Sequence, residues 1–233
     1  MKIKYFDDYD ELSQHGSDLI LAELKIKPDL LLCAATGGSP KGLYSNLQDT
    51  FADSPELFSR LKVIKLDEWV GLPLDDPGSC EHYLQQRLIE PLSISKQRYI
   101  SFDPHAENLD NECEAVQIKL NENGPIDISI LGLGQNGHIG FNEPADELNP
   151  HCHIEKLTDT SQQHGMVASV SSSPEYGLTL GMSDLLHSRK IILIISGEGK
   201  QQPKEFIMTG KISTHCPASF LWLHDNVQCL VLN

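Results

Sequence analysis

Residues 126–145 read IDISILGLGQNGHIGFNEPA. The first eight form a short, mostly apolar run of the length expected for a strand buried in a sheet. Glycines at 132, 134, 137 and 140 then break the run and let the backbone approach a ligand closely. His138 and Glu143 lie in this glycine-rich stretch, and Pro144 biases Glu143 toward extended geometry. At five residues apart the two do not share a helix face, so a folded loop must bring them together. A strand that runs into such a loop predicts a small-molecule acid–base site.

The same alternation extends in both directions. Residues 29–35 (DLLLCAA) read as a buried strand, followed by a glycine turn and a helix over 42–51. Residues 61–69 (LKVIKLDEW) read as the next strand, and a helix opened at 77–79 continues through 83–88. A short strand at 98–102 and a helix over 106–121 precede the opening segment. Strands at 176–180 and 190–196 follow it, then a helix through 205–208 and a closing strand at 227–232. Short buried strands alternating with helices predict an α/β fold, Rossmann-like, in one domain spanning 1–233. Its sheet should be doubly wound and mainly parallel, with helices on both faces and right-handed crossovers. Ligands bind such sheets outside the carboxyl ends of the strands.

Charge and composition narrow the function. The formal net charge is −15, and no Lys/Arg cluster offers the basic face that phosphate backbones require, so no nucleic-acid partner is expected. The longest apolar runs, 30–35 and 191–195, are far too short to span a bilayer, so no membrane partner is expected either. The start, MKIKYFDDYDE, has no apolar signal region, and the six cysteines show no CxxC pair. A cytoplasmic protein with reduced, mostly buried thiols is the expectation. In so acidic a chain, an anionic ligand must be held by helix N-termini, backbone amides and a few placed cations.

Three more segments carry candidate chemistry. In ATGGSPKGLY (35–44), Gly37 and Gly38 free the backbone, Ser39 stands where a helix N-cap belongs, and Pro40 suits the first turn. That is a phosphate-site pattern, although a plain strand–helix turn uses the same residues. In LDEWVGLP (66–73), Asp67 and Glu68 end a strand where a carboxylate can face the cleft and shuttle a proton. Equally, they are ordinary capping or solvated acids. In GEGK (197–200), Lys200 near a helix start can reach a phosphate or remain solvated. His151–Cys152–His153 lacks further ligands at zinc spacing, so no metal site is expected.

Taken in order, ATGGSP, LDEWVGLP, GLGQNGHIGFNEP, GEGK and PASFLWLH (217–224) resemble the glucosamine-6-phosphate deaminase/isomerase family over nearly the whole chain. The related 6-phosphogluconolactonases share the early glycine loop and a Gly-His motif but not the Asn-Glu-Pro. Asn136, the 148–164 stretch and PASFLWLH resemble the galactosamine-6-phosphate isomerase (deaminase) branch most closely. The resemblance implies a sugar-phosphate substrate, no cofactor and no metal. His138 would open the sugar ring, Glu143 would polarise it, and Asp67 would move a proton from C2 to C1. Gly37, Gly38, Ser39 and Lys200 would bind the phosphate. Two departures bear on this. Glucosamine-type deaminases carry Asp where this chain has Asn136; an amide there accepts from the imidazole but leaves His138 less basic. The family's phosphate-binding Arg falls near 165–166, where this chain has none, and His164 is the nearest cation-capable group. The chain ends soon after 226–232, without the extension of allosteric members, which implies a monomer or simple homo-oligomer. Alternative activities are glucosamine-6-phosphate deaminase, a 6-phosphogluconolactonase-type hydrolase and a non-catalytic phosphosugar sensor.

Overall fold

The computed structural model describes residues 1–167 and 173–233. The chain opens with β1 (Lys2–Phe6) and α1 (Tyr9–Ile26), and continues through β2 (Leu31–Ala34) and α2 (Lys41–Asp53). Next come β3 (Lys62–Lys65), β4 (Asp67–Trp69), α3 (Cys80–Leu84), β5 (Tyr99–Ile100), α4 (Leu109–Asn123) and β6 (Ile128–Gly132). The remainder is β7 (His153–Lys156), α5 (Asp159–Gln162), β8 (Tyr176–Thr179), α6 (Met182–Leu186), β9 (Lys190–Ile195), α7 (Gln201–Met208) and β10 (Val227–Leu232).

Seven strands form one parallel sheet in the order β1-β10-β9-β6-β2-β3-β5. Its central strands read as continuous apolar runs because both of their faces are covered. The strand period divides them between two cores. Leu31, Cys33, Ile191 and Leu193 join Val116, Leu185 and Ile207 of α4, α6 and α7 on one face. Leu32, Ala34, Ile192 and Ile194 join Leu12, Ile20, Leu43 and Leu47 of α1 and α2 on the other. This is the expected doubly wound α/β architecture. All six cysteines are unbridged, five of them buried. Among the described residues no helix is long and apolar enough to cross a membrane.

The observed elements differ from the sequence pattern in four main places, and β7, α5 and α6 are further elements that the pattern passed over. First, residues 2–26 form an edge strand and a five-turn helix that the pattern passed over. β1 is an edge strand with mostly exposed residues, so it lacks the apolar run of its neighbours. Asp8 caps α1 through the Glu11 amide, and Leu12, Gly16, Ile20 and Leu24 line one buried face at helical spacing. Second, the strand expected over 61–69 breaks at Leu66. β3 stays in the main sheet, whereas β4 leaves it and pairs antiparallel with β8. Third, 176–180 therefore builds a separate three-stranded sheet, β4-β8-β7, and does not enter the main one. Leu66 joins the two sheets, donating to Ala34 O and accepting from Leu180 N. Fourth, the helix through 77–88 begins at Cys80 and passes into a π turn over Gln85–Ile89.

The strand order places the site. The chain leaves β2 toward β3 and β5, then crosses back so that β6, β9 and β10 lie on the other side of β2. Ligands are held where the winding reverses, outside the carboxyl ends of the strands. The segments after β2, β3, β6 and β9 converge there.

Candidate active site

One cleft at that edge is lined by Gly37, Gly38, Ser39, Asp67, His138, His164 and Lys200, with Thr36 and Trp69 beside them. Sequence positions from 36 to 200 are thus gathered into one small space. Asn136 and Glu143 are not part of its wall; they stand behind His138.

At one end of the cleft, β2 runs into the glycine loop. Gly37 takes φ +91°, a left-handed conformation that favours glycine. Ser39 does not cap the helix: Pro40 holds the N-cap position and no side chain bonds there. The Ser39 hydroxyl instead accepts from Lys200 Nζ and Ser196 Oγ, each at 3.1 Å. Two tyrosines outside the motif hold the loop. The Tyr9 hydroxyl accepts from the Gly42 amide at 2.9 Å and donates to Gly38 O, while Tyr83 donates to Gly37 O at 2.7 Å. Tyr9 reaches the loop because Gly42 lets α1 come within contact of α2; a Cβ there would lie 2.4 Å from Ser13 Oγ.

Lys200 opens α7 after a turn made by Gly197 and Gly199, both at positive φ. Burial pushes its ammonium down to about 8, and among the described residues no carboxylate pairs with it. His164 follows α5, and its ring lies 3.7 Å from where a Cβ on Gly37 would stand. Burial, then the neighbouring His138 and Lys200, hold that imidazole below its ordinary value. Lys200 supplies the positive charge and His164 a neighbouring ring donor, in a desolvated part of the cleft suited to a small anion.

The other end holds the carboxylates. β4 presents Asp67 to the cleft and turns Glu68 away, as successive strand residues must. Glu68 is fully buried and bonds Lys65 Nζ (2.8 Å) and the amides of Trp69, Cys80 and Glu81. Lys65 also pairs with Glu81 at 2.7 Å, which gives the burial of three ionic groups a satisfied network. Glu68 therefore has a structural place, unlike its neighbour. Among the described residues Asp67 is buried without a cationic contact, and its carboxyl is pushed up to about 7. Burial is the main cause, followed by the Glu68 charge, and His138 pulls the other way.

His138 sits on the loop after β6. Gly134 has to be glycine because the imidazole lies against it; a Cβ would stand 2.3 Å from the ring. Glu143 Oε2 lies 3.5 Å from His138 Nδ1, an ion-pair distance rather than a tight hydrogen bond. Asn136 does not accept from the imidazole as the sequence suggested. Its Oδ1 takes the His138 backbone amide at 3.1 Å, and its Nδ2 donates to Glu143 Oε2 at 2.8 Å. An aspartate there would set one carboxylate against another. Thr158 and Ser161, which sequence reading did not single out, complete the group. Thr158 donates to Glu143 Oε2 at 3.2 Å, and Ser161 Oγ is 3.2 Å from His138 Nδ1. Thr158 is the N-cap of α5, a role that a Thr before a polar helix signals; its reach to Glu143 is tertiary. Burial pushes Glu143 up, but His138, Ser161 and Asn136 outweigh it and hold the carboxyl below its ordinary range.

His151 and His153 point to different carboxylates, Asp184 and Glu155, each at 3.2 Å.

The chain is similar to known proteins over nearly its whole length. Residues 8–230 match the family described as glucosamine-6-phosphate isomerases/6-phosphogluconolactonase. AgaI of Escherichia coli (strain K12), whose name as a deaminase is provisional, is 41% identical over 98% of this chain and 91% of its own. Glucosamine-6-phosphate deaminase 1 of Bacillus subtilis (strain 168) is 34% identical over 99% of this chain and 96% of its own. The solved structure of a monomeric glucosamine-6-phosphate deaminase of the NagB superfamily superposes with a TM-score of 0.93 at 34% identity, covering 100% of this chain and 98% of that one. The 6-phosphogluconolactonase of Trypanosoma brucei shares the fold, with a TM-score of 0.77 at 20% identity over 99% and 95% of the two chains. By motif order, site geometry and full-length similarity, the chain belongs to the glucosamine-6-phosphate isomerase/6-phosphogluconolactonase family of enzymes.

Proposed function

We propose that this protein is an amino-sugar 6-phosphate deaminase/isomerase with galactosamine 6-phosphate as the preferred substrate. It releases ammonia and a ketose 6-phosphate, tagatose 6-phosphate from the galacto sugar. The observation that carries the reading is the pair of buried carboxylates held in opposite states around one cleft. Asp67, raised to about 7, is poised to take and return a proton near neutral pH. Glu143, held low, stays an anion beside His138.

In this reading Ser39, Lys200 and the amides of Gly37 and Gly38 bind the phosphate, with His164 as a neutral donor at pH 7. His138 carries the proton from the anomeric hydroxyl to the ring oxygen, and the sugar opens. Glu143 balances the imidazolium that forms in passing, and Asn136 and Thr158 hold Glu143. Asp67 then removes the C2 proton, leaving an enamine, and returns it at C1. The resulting ketose imine takes up water and expels ammonia. The substrate's own amine stabilises the intermediate, so the step draws on no added electron sink.

Galactosamine over glucosamine is supported by the Asn136 turn and by the 148–164 and 217–224 stretches. The test is incubation of the purified protein with each hexosamine 6-phosphate, following ammonia and ketose phosphate. Faster turnover of the galacto sugar is expected. Absence of ammonia from both substrates overturns the deaminase reading, and faster turnover of the gluco sugar overturns the preference. We further propose that the chain acts as one domain in the cytoplasm, as a monomer or simple homo-oligomer; sedimentation of the active protein tests the last point.

A further inference from the structure

Among the described residues, the Asp67 carboxylate has a single hydrogen-bond donor. That donor is the thiol of Cys80, 3.7 Å from Oδ1 and buried. Its placement is over-determined. Glu68 Oε1 accepts the Cys80 amide at 3.0 Å and Oε2 accepts the Glu81 amide at 2.8 Å, which fastens the start of α3 to β4. Ser79 caps the same turn by accepting from the His82 amide. From the far side Thr36 Oγ1, at the end of β2, lies 3.4 Å from Cys80 Sγ.

Burial and the charges of Glu68 and Asp67 push the thiol well above its ordinary value, so it remains S–H. A protonated thiol beside a carboxylate donates to it, and Thr36 is then the group that donates to sulfur. The groups that bear on Asp67 come from six elements: Glu68 on its own strand, Lys65 on β3, Cys80 on α3, His138 on the loop after β6, and the buried, neutral Cys33 and Tyr44 on β2 and α2.

We propose that Cys80 is a positioning residue for Asp67: clamped by Glu68, its thiol donates to Oδ1, fixes the carboxylate plane and leaves the other oxygen to exchange the substrate proton. The proposal rests on Asp67 being the base. It also explains why a thiol suits the position. A hydroxyl or amide donor would stabilise the anion strongly and weaken the base, whereas a weak S–H donor orients the carboxylate at a smaller cost to its basicity.

Two measurements test it on the intact protein. The S–H stretch falls in an infrared window clear of other protein bands, and the Cys80 band is identified by subtracting Cys80→Ala. It should lie at lowered frequency, shift as Asp67 titrates, and move in Asp67→Asn. A band that ignores both pH and Asp67→Asn overturns the proposal. Should Cys80→Ala fail to fold, the wild-type minus Asp67→Asn difference spectrum gives the same answer. In kinetics, Cys80→Ala should raise the acid limb of kcat/KM by roughly half to one pH unit, the scale of a weak donor lost from a charged acceptor. KM for the sugar phosphate should hold. An unmoved limb with normal turnover overturns the proposal while the deaminase reading stands. If neither sugar phosphate is turned over, the base reading fails, and the infrared shift alone decides the thiol contact.

Discussion

Asp67 and Glu143 are both buried carboxylates near the same histidine, yet their surroundings push them in opposite directions. Among the described residues Asp67 has one weak donor, a neighbouring anion in Glu68 and no cation in contact. Glu143 has an amide, a hydroxyl and an imidazole around one oxygen. Burial raises both; only at Glu143 do hydrogen bonds and charge overcome it. The contrast shows that burial by itself does not assign a role. The donors around each carboxylate decide which one titrates in the working range and which one stays an anion.

The comparison breaks most severely at Asp67. Replacement of Asp67 by Asn should lower kcat by about 10²–10⁴-fold, the range of a positioned acid–base group. Calorimetry should still detect sugar-phosphate binding. A variant that keeps full hydrolysis of a phosphogluconolactone would instead favour a lactonase, which needs no C2 base. Glu143→Gln comes next: kcat should fall roughly 100-fold, with little change in KM, because His138 loses its anion and not the substrate its site. An equal or larger loss than at Asp67, read from the same assay, would invert the assignment.

At the phosphate end, Lys200→Met should raise KM roughly 10- to 100-fold, the worth of a charge-assisted hydrogen bond. His164→Gln should do less at pH 8, where the imidazole is neutral, and more at acid pH. The pH profile of kcat/KM should be a bell. It rises about tenfold per unit as Asp67 ionises through about 7 and falls above about 8 as free Lys200 loses its proton. A flat profile across that interval would erase the contrast between the two carboxylates.

Stability offers the smallest effect. The folded Asp67 holds its proton up to about 7, whereas an unfolded aspartate releases it near its ordinary 3.8. Between those values the folded chain binds more protons than the unfolded one, so this site loses stability as pH rises through the window. Asp67→Asn removes that penalty. Its melting temperature should exceed wild type by about 8–16 °C at pH 8 and by very little at pH 4, as followed by calorimetry.

Much of the fold was legible in the chain. DLLLCAA and IILIIS are unbroken apolar runs because their strands are covered on both sides, and that pattern survives any detail of packing. β1 was not legible, since an edge strand with mostly exposed side chains has no such run. The break at Leu66 was hidden because an apolar residue suits either sheet. In the site, the glycines and the His-Glu pair were legible from residue type and spacing. The choice between Asp67 and Glu68 was not: adjacent residues on a strand look alike in sequence and face opposite ways in space. Thr158, Ser161, Tyr9 and Cys80 read as ordinary polar or scattered residues until the chain crosses itself.

What the amino-acid sequence determined alone is therefore local and repetitive: strands, glycine turns, and which side chains stand at the strands' carboxyl ends. These follow from short-range sterics and burial, which leave a periodic trace. Only the tertiary structure decided how the polar groups pair. It turned Asn136 toward Glu143, moved Ser39 from helix cap to Lys200, and left Asp67 with a thiol for company. Those outcomes depend on neighbours up to 161 residues away in the chain, as for Ser39 and Lys200, and on the low dielectric that forms only once the cleft has closed around them.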